Sequence, residues 1–354
     1  MAKSRAAPSA RGIVLIAMAW LTSSLSLGAQ SLGRVTHADE APLDTLRVVH
    51  VGDINFARNA ARWYVIPGRG SEIFAGLRDE LRAADLAIGN LESVLMDRGN
   101  FADPQGTFVF AGPSQSAELL AEAGFDMVTT ANNHAWDFGR RALLESQTHL
   151  ERVGLAHAGT GRNLDDAWKP ALLRARGWTV AVISVTRIFN APGLLISGHP
   201  AECCVAWADT LRLREAVTHA RDSLGADIVL VSIHHGTEYR GVPYLREREF
   251  TRALARTGVD AVIGHHPHVP QGLEYVGEVP VIYSLGNTVF LQRDPWTQVG
   301  FMASLVFAPD KSLTLTMRPL AATFTPSWLS GADSVKAMRH LDSISTALNP
   351  APRR

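Results

Sequence analysis

The sequence predicts an α/β domain in which β-sheets are covered by helices. Short apolar, β-rich runs alternate along the chain with amphipathic segments, an order typical of βαβ crossovers. Most of these runs are apolar throughout, which indicates strands buried on both faces of a sheet. The 354 residues are 46% hydrophobic and 19% charged, so the chain can bury a substantial core.

Each predicted element follows from such a segment. Seven runs are predicted as strands: Leu46–Val51, Leu86–Ile88, Met127–Thr130, Val180–Val185, Ile228–Ile233, Ala261–Ile263 and Val281–Tyr283. Five segments between them are predicted as helices: Ser71–Ala84, Ser114–Ala123, Arg140–Val153, Trp207–Leu224 and Tyr244–Thr257. Phe301–Phe307 and Leu313–Met317 flank a Pro-Asp-Lys turn and predict an antiparallel hairpin, and a last helix is predicted over Ala332–Leu348.

The N-terminus has the order of a secretory signal. Three basic residues precede the apolar run Gly12–Leu21, which is short for a membrane span. Cleavage after Ala29 would put the large Leu27 at the minus-three position, so an uncleaved anchor is the alternative. The protein is therefore predicted to be exported: periplasmic, secreted or anchored to the outer face of the cytoplasmic membrane.

The predicted domain organisation follows from these segments. Residues 1–29 are the signal peptide or anchor, 30–45 a linker, 46–325 the α/β domain and 326–354 a C-terminal helix and tail. Lys plus Arg and Asp plus Glu number 34 each, which argues against nucleic acid as a partner. Cys203 and Cys204 are adjacent, and the intervening peptide resists disulfide geometry, so the sequence predicts no disulfide and no thiolate zinc site.

Polar loops follow six of the apolar runs. They are Gly52-Asp53-Ile54-Asn55, Gly89-Asn90-Leu91-Glu92, Ala131-Asn132-Asn133-His134, His234-His235-Gly236, Gly264-His265-His266-Pro267-His268 and Gly286-Asn287. Each motif alone is compatible with an ordinary turn. Because ligands of α/β sheets bind where the carboxyl ends of strands converge, their joint occurrence predicts one shared polar site.

The residue types in these loops suit divalent cations. Carboxylate, amide and imidazole ligands without thiolates indicate Mn, Fe or Zn, and one or two ions are predicted. A pair of ions needs a bridging carboxylate, for which either Asp53 or Glu92 qualifies. The histidines His234, His266 and His268 supply imidazoles, and the last two lie on the same side of an extended segment.

His134 is the candidate general acid. It follows Asn133, whose amide oxygen can bind a metal, and its ordinary pKa lies near neutrality. Asp137 can either orient His134 or cap the helix that begins near Gly139.

These blocks, extended to Gly52–Arg58, Gly89–Glu92, Ala131–Gly139, His234–Tyr239, His266–Gln271 and Tyr283–Asn287, resemble the signature blocks of the CapA family of capsule-synthesis proteins. The resemblance covers about Arg47 to Phe307. It implies a calcineurin-like metallophosphatase fold, a layered sandwich of mixed β-sheets flanked by α-helices. It also implies a role in making or anchoring poly-γ-glutamate capsules outside the cell.

The resemblance also implies roles for individual residues. The metal-binding positions are Asp53, Glu92, Asn133, His234, His266 and His268, with His134 at the catalytic position. The remaining matched polar residues are candidates for substrate binding: Asn55, Arg58, Asn90, Glu238, Tyr239 and Asn287. For Glu238, a structural ion pair is the alternative.

Departures from the metallophosphatase and CapA patterns concern four blocks. Asn55 occupies the position of a usual histidine, and Asn90 and Glu92 stand near a usual aspartate. His235 replaces the family's usual tryptophan and His265 is additional, and each is predicted to be either an added ligand or a solvated loop residue. The segment Ile188–Ala206 interrupts the strand-helix order and is predicted to form a lid or specificity loop.

Three functions are compatible with the sequence. The first is a metal-dependent hydrolase or transferase acting on an amide or phosphoester bond of an extracellular polymer or peptide. The second is a non-catalytic scaffold that binds an anionic polymer or membrane capsule-synthase subunits. The third is a secreted phosphoesterase.

Overall fold

The computed structural model describes residues 44–103, 108–190 and 203–349. The predicted signal peptide or anchor, nearly all of the linker and the last five residues lie outside this part, as does most of the predicted lid. Residues 41–354 belong to one compact unit. No helix among the described residues has both the length and the apolar character that crossing a membrane requires.

The elements alternate as predicted, with additional short strands. The strands are β1 (Leu46–Ile54), β2 (Leu86–Leu91), β3 (Val94–Met96), β4 (Ala111–Pro113), β5 (Met127–Thr129), β6 (Ala156–Ala158), β7 (Ala171–Ala175), β8 (Trp178–Thr186), β9 (Ile228–His234), β10 (Ala261–His265), β11 (Pro270–Val276), β12 (Val279–Leu285), β13 (Asn287–Val289), β14 (Val299–Phe307), β15 (Leu313–Ala321) and β16 (Ser327–Trp328). The α-helices are α1 (Arg78–Ala83), α2 (Ser116–Ala123), α3 (Gly139–Arg152), α4 (Leu164–Ala167), α5 (Thr210–Thr218), α6 (Leu245–Ala255) and α7 (Gly331–Leu348).

The strands form two large mixed sheets. The first has the order β16-β15-β14-β1-β2-β5-β6, with β13 also paired to β1. Strands β1, β2, β5 and β6 are parallel, whereas β14 to β16 add antiparallel pairs. The second has the order β11-β12-β10-β9-β8-β7, with parallel strands in the middle and an antiparallel strand at each edge. Strands β3 and β4 form a separate parallel pair.

Alternating residues of the sheets build a four-layer sandwich. Val48 of β1 and Leu230 of β9 belong to one apolar cluster between the two sheets. Val49 belongs to a second cluster with α1, α2 and α3, and Val229 to a third with α5 and α6. This arrangement confirms the predicted fold class, a layered sandwich of mixed β-sheets flanked by α-helices.

The layer between the sheets becomes polar toward the carboxyl ends of the parallel strands. Along β9, the residues of one face are Leu230, Ser232 and His234, and along β10 they are Ile263 and His265. All five side chains are buried. The polar site predicted from the loops therefore lies at the end of an apolar core.

Two predicted helices differ from the observed ones. The segment Ser71–Ala84 is helical mainly over Arg78–Ala83, after a 3₁₀ turn at Gly70–Glu72. The helix predicted from Trp207 begins at Thr210, because the Asp209 side chain accepts hydrogen bonds from the Leu211 and Arg212 amides and caps it there. The C-terminal helix α7 packs into the core between the sheets through Ala337, Leu341 and Ile344.

The prediction that the cysteines form no disulfide is wrong, because Cys203 and Cys204 are disulfide-bonded to each other. The two residues lie in a local turn of the chain. Cys204 is fully buried and shares a cluster with Ala131 and Ala135, which flank the Asn-Asn-His loop, and with Phe189.

Candidate metal centre and cleft

Asp53 lies at the end of β1 and is completely buried. Its Oδ1 accepts a hydrogen bond of 2.8 Å from the Asn90 amide, and its Oδ2 lies 3.4 Å from Nδ1 of His268. Burial alone raises the pKa of this carboxyl, but the adjacent imidazoles of His265 and His268 outweigh it and hold the pKa well below its usual range. Asp53 is therefore ionised.

The local backbone allows Asp53 to reach this position. Register pairing places Asp53 beside Asn90 on one side and Asn287 on the other. A Cβ atom on Gly52 would overlap with the carbonyl oxygen of Gly286, so only glycine permits the close approach of these two segments.

Glu92 follows β2 and is also completely buried. Its Oε1 lies 3.6 Å from Nε2 of His234, 3.7 Å from Nε2 of His268 and 3.8 Å from Nε2 of His134. Neither carboxylate oxygen has a hydrogen-bond partner within the described residues. Burial, followed by the charges of Asp53 and Glu238, raises the pKa of Glu92 well above its usual value.

His234 and His266 face the same point from β9 and from the loop after β10. Nε2 of His234 lies 2.7 Å from Oδ1 of Asn133 and 3.1 Å from Nδ1 of His266. Burial and then the neighbouring imidazoles lower the pKa of His234 well below its usual value and that of His266 to about 3. Both rings are consequently neutral, which is the form that binds metals.

The arrangement fits one or two divalent cations. Ligand atoms within 4.8 Å of one another occur in two groups, Glu92-His234-His266 and Asp53-Glu92-His268. Glu92 is common to both, so it is the carboxylate placed to bridge two ions, a choice that the sequence left open. A buried carboxylate with no hydrogen bond, beside the neutral imidazole of His234, is costly without a cation and well satisfied with one.

His134 is held beside this cluster. Its Nδ1 lies 2.6 Å from Oδ2 of Asp137, which also accepts a hydrogen bond of 2.7 Å from the Phe110 amide. The Phe110 ring packs against the imidazole at 4.2 Å between centroids. Of the two roles considered for Asp137, the structure shows contact with His134, whereas the N-cap of α3 is Phe138 and receives no side-chain hydrogen bond.

Asn190 was missed by the sequence analysis. Its Oδ1 accepts a hydrogen bond of 2.8 Å from Asn133, and its Nδ2 donates one of 3.2 Å to Oδ1 of Asp137. It thus joins a candidate metal ligand to the His134–Asp137 pair. Asn190 has no histidine or glycine beside it, and it lies four positions after the end of β8. No strand-end motif therefore indicates it.

We expect Asn190→Ala to lower the kcat of any reaction that uses the His134–Asp137 pair about thirtyfold, because each of its two side-chain hydrogen bonds is worth roughly 1 kcal/mol. Metal content should stay at the level of the unmodified protein, since Asn133 keeps its contact with His234. Steady-state kinetics together with elemental analysis checks this. The control is Asn349→Ala, at the far end of α7. An unchanged kcat in Asn190→Ala would show that the hydrogen bonds of Asn190 to Asn133 and Asp137 do not position the catalytic pair.

The predicted substrate-binding residues divide into two sets. Arg58, Glu238 and Tyr239 line a cleft of about 490 Å³ above His134 and His268, and Asn55 borders it although its Oδ1 accepts a hydrogen bond from the Ala57 amide. Asn90 and Asn287 do not reach this cleft. They are buried behind the ligands, where Oδ1 of Asn287 lies 2.9 Å from Nδ1 of His268.

Comparison with known proteins identifies the family. The family described as Bacterial capsule synthesis protein PGA_cap matches residues 47–292. The chain belongs to this family.

Individual relatives agree with the PGA_cap assignment. The chain is 31% identical over 281 residues to the PGA biosynthesis protein CapA of Bacillus subtilis (strain 168), covering 77% of this chain and 70% of that protein. It is 26% identical over 291 residues to the capsule biosynthesis protein CapA of Bacillus anthracis, covering 81% of this chain and 67% of that protein.

Among solved structures, a 5'-nucleotidase from Candida albicans SC5314 is similar with a TM-score of 0.47 and 10% identity, covering 87% of this chain and 59% of that one.

The two unusual histidines of this PGA_cap chain are both buried, so neither is a solvated loop residue. Nδ1 of His265 lies 3.3 Å from Oδ1 of Asp53, on the side of the core. His235 turns away from the cluster, and its Nε2 lies 3.4 Å from the Thr251 hydroxyl. His265 therefore contacts a candidate ligand, whereas His235 packs between β9 and α6.

Left-handed backbone is concentrated around the PGA_cap site. Six non-glycine residues in the described part of the chain have positive φ, and four of them are Arg58, Tyr239, His266 and His268. Such conformations cost of order 1 kcal/mol each and persist only where the surroundings enforce them. The loops that carry the imidazoles are thus rigidly set by the fold.

Proposed function

We propose that this PGA_cap protein is a metal-dependent hydrolase or transferase that acts on an amide bond of an extracytoplasmic polymer such as poly-γ-glutamate. The observation that carries the proposal is Glu92, whose unpartnered carboxylate faces three imidazoles beside the His134–Asp137 pair. The names of the Bacillus relatives, which refer to PGA and capsule biosynthesis, support the polymer.

The ligand set proposed for one or two cations of Mn, Fe or Zn comprises Asp53, Glu92, Asn133, His234, His266 and His268. A divalent cation held there would supply a Lewis acid that polarises a carbonyl group and makes water more acidic. The protein's own contribution is a buried pocket of imidazole, amide and carboxylate side chains, which keeps the cation fixed relative to the cleft.

His134 is proposed to protonate the leaving nitrogen. Its Nδ1 points to Asp137, which leaves Nε2 directed toward the cluster and the cleft. An amide nitrogen leaves as a neutral amine only after it gains a proton, so a positioned acid contributes strongly to this reaction. Asp137 would hold the ring orientation and stabilise the imidazolium form.

The scaffold alternative is less compatible with the same residues. A surface that only binds an anionic polymer gains nothing from a buried carboxyl group without a hydrogen-bond partner, because burying that group costs free energy of folding. The signal-like N-terminus supports export as part of the proposal, and membrane synthase subunits are the proposed partners.

The proposal is tested by metal analysis and a substrate screen on the purified full-length mature protein. We expect at least one equivalent of Mn, Fe or Zn and amine release from γ-glutamyl amides that stops when a chelator is added. Polymer binding without turnover, after reconstitution with each metal, would favour the scaffold. Turnover of phosphoesters alone would identify a phosphoesterase instead.

A further inference from the structure

The described lining of the cleft carries only two side chains with a fixed charge. These are the guanidinium of Arg58 and the carboxylate of Glu238, and the other lining residues are apolar, amide, phenol or imidazole side chains. The described lining is therefore poor in the cations that a polyanion needs.

Both charged side chains line the cleft near the candidate acid and ligands. The guanidinium carbon of Arg58 lies 5.2 Å from the centre of the Phe110 ring, which in turn packs on His134. Glu238 precedes Tyr239, whose ring centroid lies 6.2 Å from that of His268. Glu238 is exposed and forms no ion pair with any described residue, so the structural ion pair considered for it is not seen.

The cleft thus offers one anion site and one cation site beside the reacting centre. A residue inside a γ-linked glutamyl chain has a free α-carboxylate and no free amine. The amino-terminal residue of such a chain carries both an α-carboxylate and an α-ammonium group on one carbon, with its γ-carbonyl in the scissile amide. Only this end complements a pair of opposite charges, because Glu238 repels additional carboxylates.

We infer that the site recognises the amino end of a γ-glutamyl chain, with Arg58 receiving the α-carboxylate and Glu238 the α-ammonium group. This inference rests on the proposed amide chemistry. Hydrolysis then breaks the terminal γ-amide C–N bond, adds the hydroxyl of water to the carbonyl carbon of that amide and adds one proton to the nitrogen. The products are free glutamate and a chain one residue shorter with a new amino end; in a transfer reaction an acceptor amine replaces the water.

A cleft of about 490 Å³ is compatible with end recognition, since it has the volume of a small-molecule pocket and not of a long polymer groove. Exposed apolar side chains in its wall, Phe108, Tyr239 and Leu291, offer contact for the methylene carbons of the glutamyl group.

The test compares three probes in the full-length mature protein: γ-glutamyl p-nitroanilide, its N-acetyl derivative and its α-amide derivative, each as the D and the L form. We expect kcat/KM to fall about tenfold for each blocked probe, the value of one charged contact. Glu238→Gln should bring the kcat/KM values of the free and the N-acetylated probe closer together. Arg58→Met should do the same for the free and the α-amidated probe.

The control variant is Glu249→Gln, an exposed residue of α6 that does not line the cleft. Equal kcat/KM for free and blocked probes would overturn end recognition and leave the amide chemistry intact. If Glu238→Gln left the ratio of kcat/KM between the free and the N-acetylated probe unchanged, Glu238 would not be the residue that binds the α-ammonium group. Turnover of no probe at all, in protein with full metal content, would overturn both the inference and the proposed function.

Discussion

His134→Ala is expected to lower the turnover of γ-glutamyl amides by roughly 10²–10⁴-fold, the usual contribution of a positioned general acid. Metal content should stay unchanged, because the two groups of clustered ligands do not include His134. The loss should appear in kcat, since the proton is delivered as the C–N bond breaks. Steady-state kinetics on metal-loaded protein, with elemental analysis of the same sample, measures both quantities.

Two further variants make this result specific. His157→Ala removes a partly buried histidine of β6 whose Nε2 lies 3.4 Å from Oε1 of Glu151 and which does not line the cleft, so it should leave kcat unchanged. Asp137→Asn keeps the shape of the His134 partner but not its charge, and we expect an intermediate loss. If His134→Ala retained the turnover of the unmodified protein, or lost its metal together with its activity, His134 would not be the acid.

Glu92→Gln is expected to change stability in opposite directions with and without metal. In the presence of a chelator, the variant should be more stable than the unmodified protein by about 1–3 kcal/mol, because it removes a buried carboxylate that has no hydrogen-bond partner. With metal in excess, the unmodified protein should be the more stable one. A cation at a hundredfold excess over its Kd adds about 2.7 kcal/mol, and loss of the shared ligand weakens that binding.

The same variant has a defined pH dependence in the metal-free state. Burial, with the charges of Asp53 and Glu238, raises the pKa of Glu92, so the folded protein binds a proton that the unfolded chain releases. Stability should therefore fall as pH rises from the ordinary carboxyl pKa to the raised one. Glu92→Gln should abolish this loss.

Urea unfolding at several pH values, with and without chelator, checks both expectations. Glu278→Gln, in the exposed turn between β11 and β12, is the control and should change little under any condition. A Glu92→Gln protein that is less stable than the unmodified one in chelator would show that the carboxylate is satisfied without a cation.

The central strands could be predicted because they are buried on both faces. Continuous apolar runs such as Val180–Val185 and Ile228–Ile233 leave little alternative to a covered sheet. Strand β11 was missed because Gln271 and Glu274 interrupt its apolar pattern. Both are buried; the Glu274 carboxylate is paired with Arg252 and Tyr283, a compensation that appears only in three dimensions.

The candidate ligands could be predicted as a group because each ends a parallel strand, and the structure brings Asp53, Glu92, His234, His266 and His268 together. How deeply each polar side chain of these loops is buried could not be predicted from the sequence. Asn90 and Asn287 carry the same sequence signal as cleft residues, yet their side chains turn inward because the neighbouring strands pair there with β1. The contribution of Asn190 depends on contacts across 57 positions of sequence, which no local motif records.

The left-handed residues around the site have a consequence for how a cation enters. Because the loops that carry His266 and His268 owe their shape to the folded chain, the ion meets donors that already stand in place. Loading and unloading can then proceed without rearrangement of the backbone around His266 and His268. This part of the chain would keep one shape whether the environment of the protein is rich or poor in metal.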